Sequence, residues 1–372
     1  MNEPDAYEYI LTGRNDRGKR VTEIVWARSA DEAVRTFADH GHTEIVLHTD
    51  DNVAPFQHPS KLARTVNPRD FVGFRTRGRF GATLFMVRKF YARSWWIMVF
   101  AIVSLAFARG AAGPAMAVED VWVALLAYPW VIAVVADLAS PANAYRRTLR
   151  AVLHGRWEDV LRLLPRVRIQ LPPFERPLRE AQALAGLGRL DEAIDHFRPV
   201  ADDPAVPHHM YWEFKAVIYT TAREREKALD CVSRAAELAP NNAVALINHA
   251  LGLLNVRNDV ARARERLKEA RRHALSDVSG PLCEFAEGLL ALKGRRPGDA
   301  VELLERSRAA LRPFARGYPP IGIVIARIEG NLALAYAATG DPDAAVRMYR
   351  KAEPILAAHD ALELARCREV LG

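Results

Sequence analysis

The feature that most constrains this chain is a motif that returns at near-regular intervals through its last 230 residues or so. The pattern GRLDEAIDHF, centred on Ala193, has equivalents centred on Val160 (GRWEDVLRLL), Ala228 (REREKALDCV), Ala263 (DVARARERL), Ala300 (RPGDAVELL) and Ala345 (GDPDAAVRMY). The spacings are 33, 35, 35, 37 and 45 residues. A unit of this size cannot bury its apolar face alone, so neighbours must stack to build a continuous core. The residue types fit pairs of antiparallel helices. Where two helices cross closely only a small side chain fits, which predicts Ala at the anchor. It also predicts Ala or Gly twelve residues earlier, where Ala181, Ala216, Gly288 and Ala333 stand. Leu184, Tyr219 and Tyr336 fill the groove beside that site, and Phe197 and Tyr349 pack on the second helix. Gly188 and Gly340 end first helices.

The unit from His209 to Asn242 carries Trp212, Ala216, Tyr219, Ala228, Ala235 and a closing Pro240-Asn241-Asn242 in one register. On these residues and this period, the segment 144–372 resembles a tetratricopeptide repeat domain. The unit of Ala263 departs by one residue, with Leu251 at the small position. The unit of Val160 is incomplete and reads as a cap. About ten residues are inserted before Ala345, around Arg316–Gly322 (RGYPPIG), and Ala358–Leu371 reads as a terminal capping helix. The resemblance implies a mainly α fold, an α-solenoid of about six helix pairs whose first helices line a concave groove. The groove positions it implies are Glu213, Val217, Thr220 and Thr221 in the best unit, and Arg327, Asn331, Leu334 and Ala338 in the last. With few Lys they depart from the family's carboxylate clamp, which points to an apolar helical or extended protein partner.

Upstream, two uncharged apolar segments lie close together, Trp95–Ala108 and Val121–Ala136. With their ends counted, each reaches the roughly 20 residues a spanning helix needs. Trp95, Trp96 and Trp122 sit near the ends, as interfacial anchors do. Nine basic residues and one acid occupy 61–93, and Arg146, Arg147, Arg150 and Arg156 follow the second segment. The connection holds Arg109 against Glu119 and Asp120. The positive-inside rule then predicts a transmembrane hairpin over 94–140 in an inner membrane, with both terminal regions cytoplasmic. The alternative is a buried hairpin in a soluble fold. The basic run 53–93 is expected to lie against anionic lipid headgroups. The start of the chain lacks the layout of a cleaved signal peptide.

Residues 1–52 predict a small ββαβ domain. Tyr7–Thr12 and Val21–Ala27 read as strands about an Asn15-Asp16-Arg17-Gly18 turn. Ser29 and Glu32 have capping-box spacing, Ala33, Val34, Phe37 and Ala38 give the helix one apolar face, and Thr43–His48 reads as a third strand. Such a core is small enough that the unit is expected to lean on a neighbour. It is similar to the N-terminal cytoplasmic modules of type II secretion and pilus platform proteins in Tyr-x-Tyr, Gly18-Lys19, Ala27, Ser29, Glu32, Ala33 and Gly41.

No catalytic or cofactor constellation emerges. Cys231, Cys283 and Cys367 are too far apart for a zinc spacing. His40, His42 and His48 read as solvated rather than metal-binding, and His208 and His209 as loop residues between repeats. Gly186–Ala193 lacks the Lys-Ser/Thr end of a phosphate loop. The 52 basic against 45 acidic residues raise nucleic-acid binding, yet the arginines of 223–272 alternate with Glu and Asp and form no basic stripe. Only eight of the 52 are Lys, an Arg- and Ala-rich usage expected of a GC-rich bacterial genome. The reading is a membrane-anchored, non-catalytic scaffold with a protein partner. The alternatives are a membrane enzyme accessory and a basic nucleic-acid-binding repeat protein. No cofactor, metal or small-molecule substrate is expected.

Overall fold

The computed structural model describes residues 7–50, 142–167, 171–172, 174–204 and 206–371, with single positions between 81 and 88. The two apolar segments over 94–140 and the basic run 53–80 lie outside the described residues.

The N-terminal unit runs β1 (Tyr7–Arg14), β2 (Arg20–Ala27), α1 (Ala30–Asp39) and β3 (Thr43–Leu47), with sheet order β2-β1-β3 and both pairings antiparallel. The β1–β2 turn forms because Asn15 Oδ1 accepts from the Arg17 and Lys19 amides, and Gly18 supplies a φ of +70°. At the start of α1, Ser29 Oγ accepts from the Glu32 amide and the Glu32 carboxylate accepts from Arg28 N. That is a capping box shifted by one residue. Tyr7, Tyr9, Leu11, Val25 and Ala27 share one face and pack with Ala33 and Phe37.

That small core does lean on a neighbour. The chain between the eighth and ninth helices of the array, 271–278, lies along the edge of β3. Asp277 N donates to Leu47 O at 2.9 Å, and Ser276 Oγ donates to Asp50 Oδ2 at 2.8 Å. Asp31 takes the Ala274 amide and sits 2.8 Å from His273 Nδ1.

The array is built of α2 (Ala142–Leu153), α3 (Trp157–Leu163), α4 (Glu175–Gly186), α5 (Leu190–Phe197), α6 (His208–Thr221) and α7 (Arg225–Leu238). It continues through α8 (Ala243–Gly252), α9 (Val260–Ala270), α10 (Ser279–Lys293), α11 (Pro297–Gly317), α12 (Ile321–Thr339) and α13 (Pro342–His359), and closes on α14 (Ala361–Leu371). Helices α2–α13 form six antiparallel pairs. Val160, Ala193, Ala263, Ala300 and Ala345 are fully buried, and Ala228 is 9% exposed. The small site is as tight as expected: a Cβ on Gly288 would lie 2.8 Å from Leu304 Cγ.

The turn inside each pair is the same device six times. Gly155, Gly188, Arg223, Asn258, Arg295 and Gly340 all have positive φ, and each stands five residues before its anchor. This left-handed residue ends the first helix and lets the following amide reach back. Arg156, Arg189, Glu224, Arg296 and Asp341 each donate to the carbonyl five residues earlier. The unit of Val160, expected to be incomplete, therefore has the same turn as the others. In the unit of Ala263 the amide of Asp259 reaches six residues back, to Leu253 O, across a π turn at Leu253–Arg257. A π turn accommodates one extra residue. Counting back thirteen rather than twelve from Ala263 gives Ala250, which is fully buried. The small position is thus Ala250, and the expectation at Leu251 is corrected.

The inserted residues around RGYPPIG lengthen two helices. α11 has 21 residues and α12 has 19, joined at Tyr318–Pro320. By length and composition α12 is able to cross a membrane, but it is largely buried as the first helix of the last pair.

Candidate functional site

The eight expected groove positions divide into two groups. On α6, Val217 is exposed, and Glu213, Thr220 and Thr221 are half-buried. Glu213 accepts from Asn248 Nδ2 at 3.1 Å, so α6 and α8 share this wall. On α12 only Ala338 is exposed. Asn331 and Leu334 are buried, and Asn331 Nδ2 donates to Arg327 O at 2.9 Å. Arg327 Nε lies 3.3 Å from Asp360 Oδ2, an ion pair without hydrogen-bond alignment. The groove expected in the last unit is therefore occupied by the chain itself, because α14 packs on α12.

The two ends of the array meet. His359 Nε2 donates toward the carbonyls of Val152 and Leu153 at 3.0 and 3.1 Å, at the C-terminal end of α2, where Val152 O also accepts from the Gly155 amide. Its ring meets Trp157 edge-on at 5.5 Å. Asp360, one residue on, takes Arg225 Nη2 at 2.7 Å. A Cβ on Gly155 would lie 2.7 Å from Ala358 Cβ, so the turn of the first pair and the end of α13 touch. Burial lowers the pKa of His359 and keeps the ring neutral, with the backbone acceptors opposing the shift.

A second tie joins the insertion to the second pair. Arg179 on α4 is 5% exposed and reaches three partners. Its Nε donates to Glu175 Oε1 at 2.7 Å, its Nη1 to Gln182 Oε1 at 3.0 Å, and its Nη2 to the Tyr318 hydroxyl. Tyr145 OH donates to the same Glu175 oxygen at 2.5 Å. Burial pushes the Tyr318 phenol up to about 12. Burial is the strongest single influence on Arg179 and would lower it, but Glu175, Tyr318 and Tyr145 together outweigh it and hold the guanidinium protonated. Glu175 is 3% exposed and Gln182 3%, so this is a dry, fully paired network. Only Tyr318 carries a signal in the sequence, through the insertion around it. Arg179 and Asp360 look like ordinary helix-surface residues until the ends are brought together.

Reactive chemistry is damped elsewhere. Burial pushes the Cys231 thiol up to about 11 and those of Cys283 and Cys367 up to about 12. None is a nucleophile near neutral pH. Among the described residues no group of three His, Cys, Asp or Glu has metal-site geometry. Thr12 Oγ1, His48 and Asp277 line up as hydroxyl, imidazole and carboxylate at 2.8 and 3.2 Å. Thr12 is 4% and His48 6% exposed, and Thr12 Oγ1 also bonds Thr22 Oγ1 at 2.8 Å. The trio fastens the N-terminal unit to the array and admits no substrate. His48 is therefore a buried joint residue, not a solvated one. His208 and His209 are the first residues of α6, with His209 buried, and not loop residues.

A tetratricopeptide repeat profile matches residues 326–353, which span most of α12 and the first two-thirds of α13. Among solved structures, the chain is similar to one titled "Crystal structure of APC/C hetero-tetramer Cut9-Hcn1", at 13% identity over 62% of this chain, with a TM-score of 0.26. The chain spans 55% of the length of that solved chain. No curated protein matches the sequence.

Proposed function

We propose that this chain is a non-catalytic interaction scaffold, held in a membrane by the hairpin at 94–140, whose cytoplasmic repeat array binds a protein partner. The observation that supports the array's role is the recurrence of one two-helix unit with one turn geometry at six positions, a stacking that presents a long inner surface. The part of that surface left to a partner is the α6–α8 wall with Val217, Thr220, Thr221 and Glu213, since Asn331 and Leu334 are buried. A short helical or extended segment with apolar side chains fits it. Nucleic acid is disfavoured: the arginines of 223–272 alternate with Glu and Asp and form no continuous basic stripe.

The membrane half of the reading rests on the two apolar segments and their basic flanks. Fractionated cells should retain the protein in membranes through an alkaline wash. A Cys introduced at Gly113 should react with an impermeant reagent from outside, and Cys at Ser60 or Ala243 should not. Recovery in the soluble fraction defeats the anchor. For the array, Val217→Arg with Thr220→Arg should abolish co-purification of whatever partner the unaltered protein captures, without changing its melting temperature. Unchanged capture defeats the groove assignment.

A further inference from the structure

Between α7 and α9, over α8, lies a cavity of about 310 Å³ that includes none of the eight groove positions. It stands at the π turn, the one place where the repeating turn takes an extra residue. The π turn supplies Leu253 to the floor and Arg257 to the rim. Arg262 and Arg266, one helical turn apart on α9, add two more guanidinium groups. Arg257 directs Nε and Nη2 to Glu226 at 3.3 and 3.1 Å, Arg262 directs Nε to Asp259 at 3.5 Å, and Arg266 directs Nη1 to Glu269 at 2.8 Å. A guanidinium has five N–H donors in a planar fork, so each retains donors beyond these pairs. His249 lines the same cavity, and its Nδ1 is buried without a hydrogen-bond partner among the described residues.

A surface of matched ion pairs explains the alternating charges but not the backbone beneath them. π turns are rare and are found often at functional sites. Here the π turn Leu253–Arg257 brings Arg257 into the same cavity lining as Arg262 and Arg266. The rim also carries Asp230, Ser233 and Glu265. Those oxygens repel a bare anion but accept hydrogen bonds from hydroxyl groups attached to one.

We propose that this cavity binds a small soluble phosphate monoester of a polyol, its phosphoryl group held by Arg257, Arg262 and Arg266 and its hydroxyls by Asp230, Ser233 and Glu265. Planar guanidinium forks suit phosphoryl oxygens, and the N–H donors not engaged by Glu226, Asp259 and Glu269 are the ones offered to them. His249 reports on occupancy. In the free protein burial lowers its pKa, with Arg266 and Arg262 adding to the effect and Glu237 and Glu269 opposing it. A dianion placed among these groups favours the imidazolium, so binding draws in a proton near neutral pH.

The test is calorimetric titration of the full chain in maltoside micelles with glycerol 3-phosphate, in buffers of different ionisation enthalpy at constant ionic strength. The expected result is saturable binding with fractional proton uptake. Arg262→Met with Arg266→Met should weaken it by about tenfold or more, since charge-assisted bonds are lost. His249→Gln should retain most of the affinity and lose the proton uptake. Melting temperatures of both variants should stay at the unaltered value, which separates a lost site from a lost fold. No saturable heat, equal affinity for free glycerol, or binding confined to vesicles containing phosphatidic acid would each overturn the proposal. So would unchanged affinity in the double Arg variant.

Discussion

Replacing Arg179 with Met tests whether the tie between the insertion and the second pair stabilises the array. Met keeps the length and apolar volume of the arginine stem and removes all three donors. Glu175 then stays at 3% exposure with Tyr145 as its remaining partner of the five-residue network. Breaking a buried pair by removing one partner costs about 3–5 kcal/mol, because the surviving charge is buried without compensation. In a repeat array of this size each kcal/mol moves the melting temperature by about 2–4 °C, so the loss should be roughly 6–20 °C. The second variant, Glu175→Gln with Arg179→Met, removes the stranded charge and should recover part of the loss, a coupling of roughly 1–3 kcal/mol. The assay is thermal unfolding of the full chain followed by far-ultraviolet circular dichroism. Hydrogen exchange at 316–322 should also quicken, since Tyr318 loses its anchor. A single variant that melts within about 2 °C of the parent would refute the reasoning. Strictly additive losses would refute the coupling.

Arg295 is exposed and holds φ +58° where three sister units use Gly. Arg295→Gly should raise the melting temperature by about 1–4 °C, the relief of left-handed strain exceeding the added freedom of the unfolded chain. Gly288→Ala should cost about 1–3 kcal/mol by overpacking against Leu304, whereas Gly298→Ala, which meets nothing within 4 Å, should be neutral or stabilising. Equal melting temperatures for this pair would contradict the helix crossing. His359 is held neutral by burial, its folded pKa lying below the ordinary 6.5. The unfolded chain therefore binds the proton first, and stability is lost as pH falls from about 6.5 through the folded value. His359→Gln should flatten that slope in melts recorded between pH 7.5 and 5, and an unchanged slope would contradict the end-to-end contact.

The five Ala anchors were legible because each sits where only a small side chain fits, and the sequence repeats that constraint. The glycine turns at Gly188 and Gly340 were legible for the same reason, whereas Gly155 was hidden in a unit read as an incomplete cap. The turns at Arg223 and Arg295 were not legible, since arginine carries no sign of a positive φ. Leu251 was misplaced because a π insertion shifts the count without leaving a residue of its own kind. Of the groove positions, the register foresaw neither the exposure of Val217 nor the burial of Asn331 and Leu334 on the helix against which α14 packs, because a period of about 34 residues holds no information about how far the superhelix turns before its ends meet. The N-terminal unit's dependence on a neighbour followed from its size, but the identity of that neighbour did not. The segment 271–278 is a connection between repeats and has no pattern that marks it as a docking edge.

The meeting of the two ends fixes how many repeats this array can hold. An open solenoid gains or loses a unit by duplication or deletion, and its remaining interfaces are undisturbed. Here an added pair inserted anywhere between α7 and α11 would carry Tyr318 one step past Arg179, and His359 and Asp360 past α2 and Arg225. The same step would take the Tyr318 hydroxyl from Arg179 and the His359 imidazole from the last carbonyls of α2. The unit count is thereby a geometric constant, set by the rise and rotation per pair. A closed array of this kind can still absorb changes in the length of individual helices, as in α11 and α12, and single-residue insertions within a turn, as at Leu253–Arg257.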